Sequence, residues 1–269
     1  MTTDIDEARD WQGQPIDCRE CPQRALLEAK RCATSRACVQ DRYARRIDRF
    51  FAWNPGLANG HLNHPYFEVR AVAAKYADVF HLLPLLKDED ETVRWSVAQR
   101  LPPRYLRELK SDAHREVRIR VAHRVEGSDL FAMRADEDYY VRMVVARRLG
   151  VLLLELMMND AEAGVRRIVA QRIGAGSLPP MATDPDAEVR LEVARRLPAE
   201  QLGSLQRDPD CRVRYEVATR VVDGRLPAML GDVDPMVSEM ARLRLGTTHT
   251  RSRPPGAPKL MSEQRAPIP

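Results

Sequence analysis

Aromatic residues make up only 6% of this 269-residue chain, and nowhere does it contain a long apolar run. The first scarcity argues against a site built on stacked aromatic platforms, such as an enzyme acting on a flipped base requires. The second excludes a spanning helix, which needs about 20 consecutive apolar residues. The opening stretch from Met1 to Glu7 has neither a basic cluster nor an apolar core, so no secretory leader is expected. Glycine-rich sequence is confined to Gly174-Ala175-Gly176, which has no Lys-Ser/Thr beside it and makes no phosphate loop. Charge of one sign is also scarce: 43 Lys and Arg against 39 Asp and Glu leave +4, which permits a nucleic-acid partner without demanding one. These absences describe a soluble cytoplasmic protein with no membrane partner and no evident small-molecule substrate.

Against that background one pattern stands out. Val69, Val93, Val117, Val141, Val165, Val189, Val213 and Val237 follow one another at 24 residues without insertion or deletion. A period this strict marks a repeat array in which each unit covers its neighbour's apolar face. With the valine as position 0, apolar residues recur at 4, 5 and 8, as in Val189, Val193, Ala194 and Leu197. At about 100° per residue they form one continuous arc, the signature of an amphipathic helix of about eleven residues. Asp at −5, often followed by Pro as in Asp184-Pro185, is expected to cap that helix. An apolar pair at 13 and 16, such as Leu82/Leu85 and Leu202/Leu205, and prolines such as Pro84, Pro180 and Pro227 predict one tight turn or 3₁₀ piece after it. No alternating run predicts a strand.

Arginine follows seven of the eight valines, and a second arginine column runs from Arg100 to Arg244 at position 7. Position 1 lies inside the apolar arc, where an unpaired guanidinium is costly, so the aspartates at −5 are assigned to these arginines, within or between units. The two columns hold fourteen arginines, and the acids at −5 and −3 number thirteen, so the array is nearly neutral. Nucleic-acid binding then depends on whether the position 7 arginines gather on one surface.

The second pattern is C-x₂-C-x₁₀-C-x₅-C: Cys18, Cys21, Cys32 and Cys38. If the helical stretch from about Gln23 to Arg31 folds back, the four thiolates converge on one centre, either Zn²⁺ or an iron–sulfur cluster. The gaps match no common zinc finger, and Arg19, Arg24, Lys30, Arg31 and Arg36 could offset the charge of a thiolate-bound cluster. Cys211 reads as a solitary turn thiol, and His61, His64, His81, His114 and His123 as surface or turn residues with no second metal site.

The pattern Asp-x-x-x-x-Val-Arg-x-x-Val-Ala-x-Arg-Leu resembles the leucine-rich repeat variant family, over residues 64–247. The resemblance implies an all-α, right-handed superhelix of about eight repeats, each an α-helix plus a short 3₁₀-helix, without sheet. The ordinary leucine-rich repeat, by contrast, needs a strand with leucines two apart. Some members of the variant family carry an N-terminal four-cysteine module described as binding a [4Fe–4S] cluster, and Cys18, Cys21, Cys32 and Cys38 are the matching positions. Residues 1–45 are therefore expected to form an iron–sulfur module, 46–63 a divergent capping helix and connection, 64–247 the repeats and 248–269 a flexible Pro-rich tail. The function expected is non-enzymatic: a scaffold for unidentified protein partners with a redox, electron-transfer or oxygen-sensing cluster. The alternative is a nucleic-acid-binding repeat protein with a structural cluster or zinc.

Overall fold

The computed structural model describes residues 7–251, with side chains as far as Gly246. The chain divides into two compact units, Met1–Leu149 and Gly150–Pro269. The first holds α1 (Arg24–Glu28), α2 (Ala44–Trp53), α3 (Phe67–Tyr76), α4 (Glu91–Arg100), α5 (Arg115–Ala122), α6 (Gly127–Ala132) and α7 (Tyr139–Arg148). The second holds α8 (Ala163–Arg172), α9 (Ala187–Arg196), α10 (Cys211–Arg220) and α11 (Pro235–Arg251). Between repeat helices lie 3₁₀ pieces such as Leu83–Lys87 and Pro103–Ser111 in the first unit and Pro179–Thr183 in the second, each with a proline at its first or second position, where it has no N–H to leave unpaired. Among the described residues there is no strand, only two isolated bridges.

The apolar arc is the core. All eight position 0 valines are 0% exposed, and in α9 Val193, Ala194 and Leu197 are sealed with Val189. The leucine pairs are buried as well, including Leu130 and Met133, whose unit departs from the rest. There, between Arg124 and Asp136, no proline occurs, and Gly127, at φ +57, opens an α-helix where the pattern predicted only a 3₁₀ piece. Burying each Val or Leu contributes about 1.5–3 kcal/mol, so an array of such positions carries most of the folding free energy.

The helices begin later than the aspartate at −5 suggested. The cap is the residue at −3: Asp90 accepts the N–H of Thr92, Asp138 those of Tyr140 and Val141, and Asp186 those of Glu188 and Val189. Asp88, Asp112 and Asp184 instead each accept the N–H two residues on, closing a small turn that aims the carboxylate at the preceding repeat. There each meets the position 1 arginine. Arg94 Nε and Nη2 reach Asp112 at 2.7 and 2.9 Å, while Nη1 donates to the carbonyls of Asp88 and Glu89. The same bidentate pairing joins Arg70 to Asp88 and Arg118 to Asp136 in the first unit. In the second it joins Arg166 to Asp184, Arg190 to Asp208 and Arg214 to Asp232. Within each of the two units, the pairs run from one repeat to the next.

The position 7 arginines also turn inward. Arg100 donates to the carbonyls of Ala74 and Ala77, Arg148 to those of Ala122 and Val125, and Arg196 to those of Ala170 and Ile173. Each guanidinium thus serves the open C-terminal carbonyls of the previous helix, where a cation also suits the dipole. The last helix continues to Arg251, past the expected end of the repeats at 247 and into the stretch expected to be tail; residues 252–269 lie outside the described part.

Candidate metal centre

The first turn of the module is organised by Asp10, whose carboxylate accepts the N–H groups of Gln12 and Gln14. With Gly13 at φ +83 this closes the Arg9–Pro15 bridge and delivers Ile16 to the site. Cys18 and Cys21 follow and lead into α1. That helix ends in a Schellman motif: Lys30 adopts φ 58 and donates to Leu27, and Arg31 donates to Leu26 at 2.7 Å. The reversal sends Cys32 back along the helix. A second tight turn, with Ser35 at φ 58, pairs Ala33 with Ala37 through two backbone hydrogen bonds, so the flanking Cys32 and Cys38 come to face each other.

All four cysteines line one pocket with Ile16, Leu27, Val39 and Phe50. Gln23, Arg24 and Thr34 complete the wall, so sulfur is its sole ligand-type donor, with no His, Asp or Glu among the lining side chains. Among the described residues, no group of three or more His, Cys, Asp or Glu closes on a point suited to one metal ion. The Gln23 N–H donates to Cys21 Sγ at 3.4 Å. Burial pushes the Cys38 thiol up to about 12, with Cys21 and Cys32 adding to the effect. Burial likewise raises the Cys32 thiol, with the nearby Cys21 and Cys18 adding to it, and raises the Cys18 thiol, with Cys21 and Asp17 adding to it. The thiols therefore sense one another, and any metal that binds must displace their protons.

Arg24 is the one arginine on the pocket wall. Of the others named from sequence, Arg19 pairs with Asp17 at 2.8 Å, Arg31 reaches the Trp53 carbonyl and Arg36 lies over the Trp53 ring. Charge compensation by this whole set is thus narrower than the sequence suggested. His61 donates its Nδ1–H to the Leu57 carbonyl, and His64 sits edge-on to Trp11, which stacks on Tyr66. Cys211 stands exposed at the first turn of α10.

The cysteine loop is fastened to α2 by contacts the sequence did not announce. Cys38 N–H donates to the Arg46 carbonyl, the Asn54 amide to the carbonyls of Arg31 and Phe50, and Arg49 to that of Arg36. Asp41 is fully buried and holds Arg46 at 3.0 Å while accepting the Tyr43 N–H. An Asp three residues before the start of α2 was the available signal, because its carboxylate can accept the N–H two residues on and close an Asx turn. From α2 the packing passes to the repeats: Phe50 lines the pocket, Phe51 lies 5.3 Å from it, and Tyr76 of α3 lies 6.2 Å from Phe51.

Residues 8–60 match the family described as "LRV protein FeS4 cluster", and residues 187–210, one repeat, match "Leucine rich repeat variant". A solved structure described as "a leucine-rich repeat variant with a novel repetitive protein structural motif" is 42% identical, with a TM-score of 0.82 over 85% of this chain and 98% of that one. The chain belongs to the leucine-rich repeat variant family. It carries the iron–sulfur module found in that family, with all four grouped cysteines inside the matched stretch. A 27.7 kDa protein in the nifB 3′ region of Rhodobacter capsulatus is 50% identical over 96 residues, 36% of this chain and 39% of that protein. No helix among the described residues is long and apolar enough to cross a membrane.

Proposed function

We propose that Cys18, Cys21, Cys32 and Cys38 hold a [4Fe–4S] cluster in a non-enzymatic, cytoplasmic protein whose repeats are a scaffold for protein partners. The observation that carries this reading is the single pocket lined by all four thiols, fastened through Phe50, Phe51 and Tyr76 to the first repeat helix. When bound, such a cluster supplies one-electron chemistry. The chain's own residues set its conditions. Ile16, Leu27, Val39 and Phe50 give the pocket apolar walls with Cys38 buried and the other three cysteines partly exposed, the Gln23 N–H stabilises charge on Cys21, and Arg24 supplies a cation at the wall. With a cysteine for each corner, no coordination position is left for a substrate, which favours electron exchange or redox and oxygen sensing over catalysis. A change in the pocket would be felt in the loop held by Asn54 and Arg49, then in α2 and α3, giving partner binding a route by which to respond.

Anaerobic purification with iron, acid-labile sulfide and zinc analysis and EPR tests the proposal. Equal iron and sulfide at cubane stoichiometry are expected, and zinc alone would overturn it. The nucleic-acid alternative finds less support, because the position 7 arginines it relied on are engaged with helix carbonyls.

A further inference from the structure

The hairpin that carries Cys32 and Cys38 is held by hydrogen bonds of the chain itself, so its shape does not depend on a metal between its arms. Ala33 and Ala37 exchange both backbone hydrogen bonds, at 2.9 and 2.8 Å, around the Ser35 turn. Each arm is then tied down separately. The Cys32 N–H donates to the Leu26 carbonyl, the Asn54 amide holds the Arg31 carbonyl beside it, and the Cys38 N–H donates to the Arg46 carbonyl. Cys32 and Cys38 are the positions that flank a doubly bonded pair, and in an antiparallel ladder the Cα atoms of such a flanking pair stand about 4.5 Å apart. A disulfide spans Cα separations of about 4.4–6.8 Å. The two thiols also differ in access, since Cys32 is partly exposed and Cys38 is buried. Cys18 and Cys21 stand on a different turn, where the Gln23 N–H holds Cys21 Sγ.

We infer that Cys32 and Cys38 are a thiol-oxidation site, closed to a disulfide by a small disulfide such as glutathione disulfide whenever the cluster is absent. The inference deepens the sensing reading and rests on the iron–sulfur proposal for its purpose, although the hairpin chemistry needs no cluster. Access sets the order of events. The Cys32 thiolate attacks one sulfur of the reagent: a bond from Cys32 to glutathione forms, the reagent's S–S bond breaks and one glutathione thiolate leaves. The Cys38 thiolate then attacks the Cys32 sulfur from across the hairpin and expels the second glutathione. The two thiol protons end on the two departing glutathiones, and the two electrons lost by the protein are gained by the reagent. The product excludes the cluster, because two of its four ligands are now bonded to each other. In a reducing compartment disulfides are usually transient and redox-sensing. The module thus has two exclusive states, metal or disulfide, and reduction by a thiol is the way back.

The test uses the full chain, its metal removed anaerobically by a chelator in the presence of dithiothreitol, which is then dialysed away. Glutathione disulfide is added, free thiols are blocked with N-ethylmaleimide, and tryptic peptides are mapped without reduction. Arg36 lies between the two cysteines, so cleavage there shows the bridge as residues 32–36 linked to residues 37–42. That linked pair is expected as the dominant product. Cys38→Ser is expected to keep a glutathione adduct on Cys32, and Cys32→Ser to lose the adduct, with Cys38 left unmodified. A Cys18–Cys21 link in place of the expected one, or a wild-type chain that stops at the glutathione adduct, would overturn the site. Equal adduct formation on Cys38 in Cys32→Ser would overturn the order. The iron-loaded chain given the same reagent is expected to form no linked pair, and a linked pair formed with the iron retained would overturn the exclusion. Iron and sulfide are measured on the chain as purified. Linked peptides from a chain that never held iron refute the cluster reading and leave the hairpin site standing, and cubane iron and sulfide with no linked pair after stripping does the reverse.

Discussion

In the repeats a guanidinium such as that of Arg94 is enclosed, with two N–H groups on Asp112 and Nη1 on two carbonyls. In the module, Arg45 stands exposed and Arg49 donates to the Arg36 carbonyl, with no aspartate recurring at a fixed spacing from either. The same side chain therefore does opposite work in the two regions. Where the aspartate recurs at the same period as the arginine, the pair becomes a strut between repeats. Where the period fails, no aspartate recurs in step with the arginines: nine arginines and nine acids precede His64, and Arg45 faces outward. Net charge conceals this, because the balanced struts dominate the count.

The largest effect should separate the regions by their cofactor. Cys32→Ser is expected to abolish iron and sulfide binding and visible absorption, and to lower the melting temperature, because the loop it anchors lies on α2, which packs on α3. Loss of iron with an unchanged melting curve would mean that the module does not support the repeats. Next in size is the strut. Arg118 and Asp136 are each 6% exposed, so Arg118→Ala leaves a buried carboxylate without its partner and should cost about 3–5 kcal/mol in urea denaturation. Arg118→Met with Asp136→Leu should cost much less than the single change. If the double variant is the less stable, the pair stabilises more than its desolvation costs.

Much of the fold was legible because it repeats: the valine column, its arc and the leucine pairs all read as helix and core, and they are buried as expected. The arginine pairing was legible as chemistry but not in direction, since column spacing does not say which neighbour an aspartate meets. Cap position was misread for a related reason: both −5 and −3 carry cap-forming residues, and only backbone geometry tells which begins the helix. In the module, the four cysteines were readable from spacing. The Lys30 reversal, the Ser35 turn and the Asn54 clamp were not, because left-handed residues other than glycine and a buried amide leave no pattern in a single sequence.

A smaller, pH-dependent effect should belong to the repeats. The hydrogen bonds of Arg214 hold the Asp232 carboxyl below its ordinary value against a lesser pull from burial. For Asp112 and Asp184 burial pulls upward most, yet the arginine and backbone N–H groups together outweigh it and the net direction is down. A depressed folded value means stability that is present above the ordinary carboxylate range, near 3.8, and lost as the pH falls through the folded values. The urea midpoint should therefore drop on acidification below about pH 4, and drop less steeply in Arg214→Met with Asp232→Leu, which lacks one carboxylate so held. Equal slopes would detach the acid response from the struts.

The smallest effect contrasts two aspartates two residues apart. Asp184 takes two guanidinium N–H groups of Arg166 at 2.7 and 2.9 Å, besides the N–H of Asp186. Asp186 takes only the N–H groups of Glu188 and Val189, at 2.9 and 3.3 Å. Asp184→Ala strands a largely buried guanidinium and should approach the cost of the strut, whereas Asp186→Ala removes a cap and should cost about 1 kcal/mol. Other repeats already show the second change to be tolerable, since α5 and α8 begin at His114 and Glu162 with no side-chain cap at all. Conversely, Glu162→Asp should add a cap to α8 and stabilise the second unit by about 0.5–1 kcal/mol, read as a shift in its urea midpoint. Equal costs at Asp184 and Asp186 would show that the two acidic columns do the same work, and the distinction between strut and cap would fall.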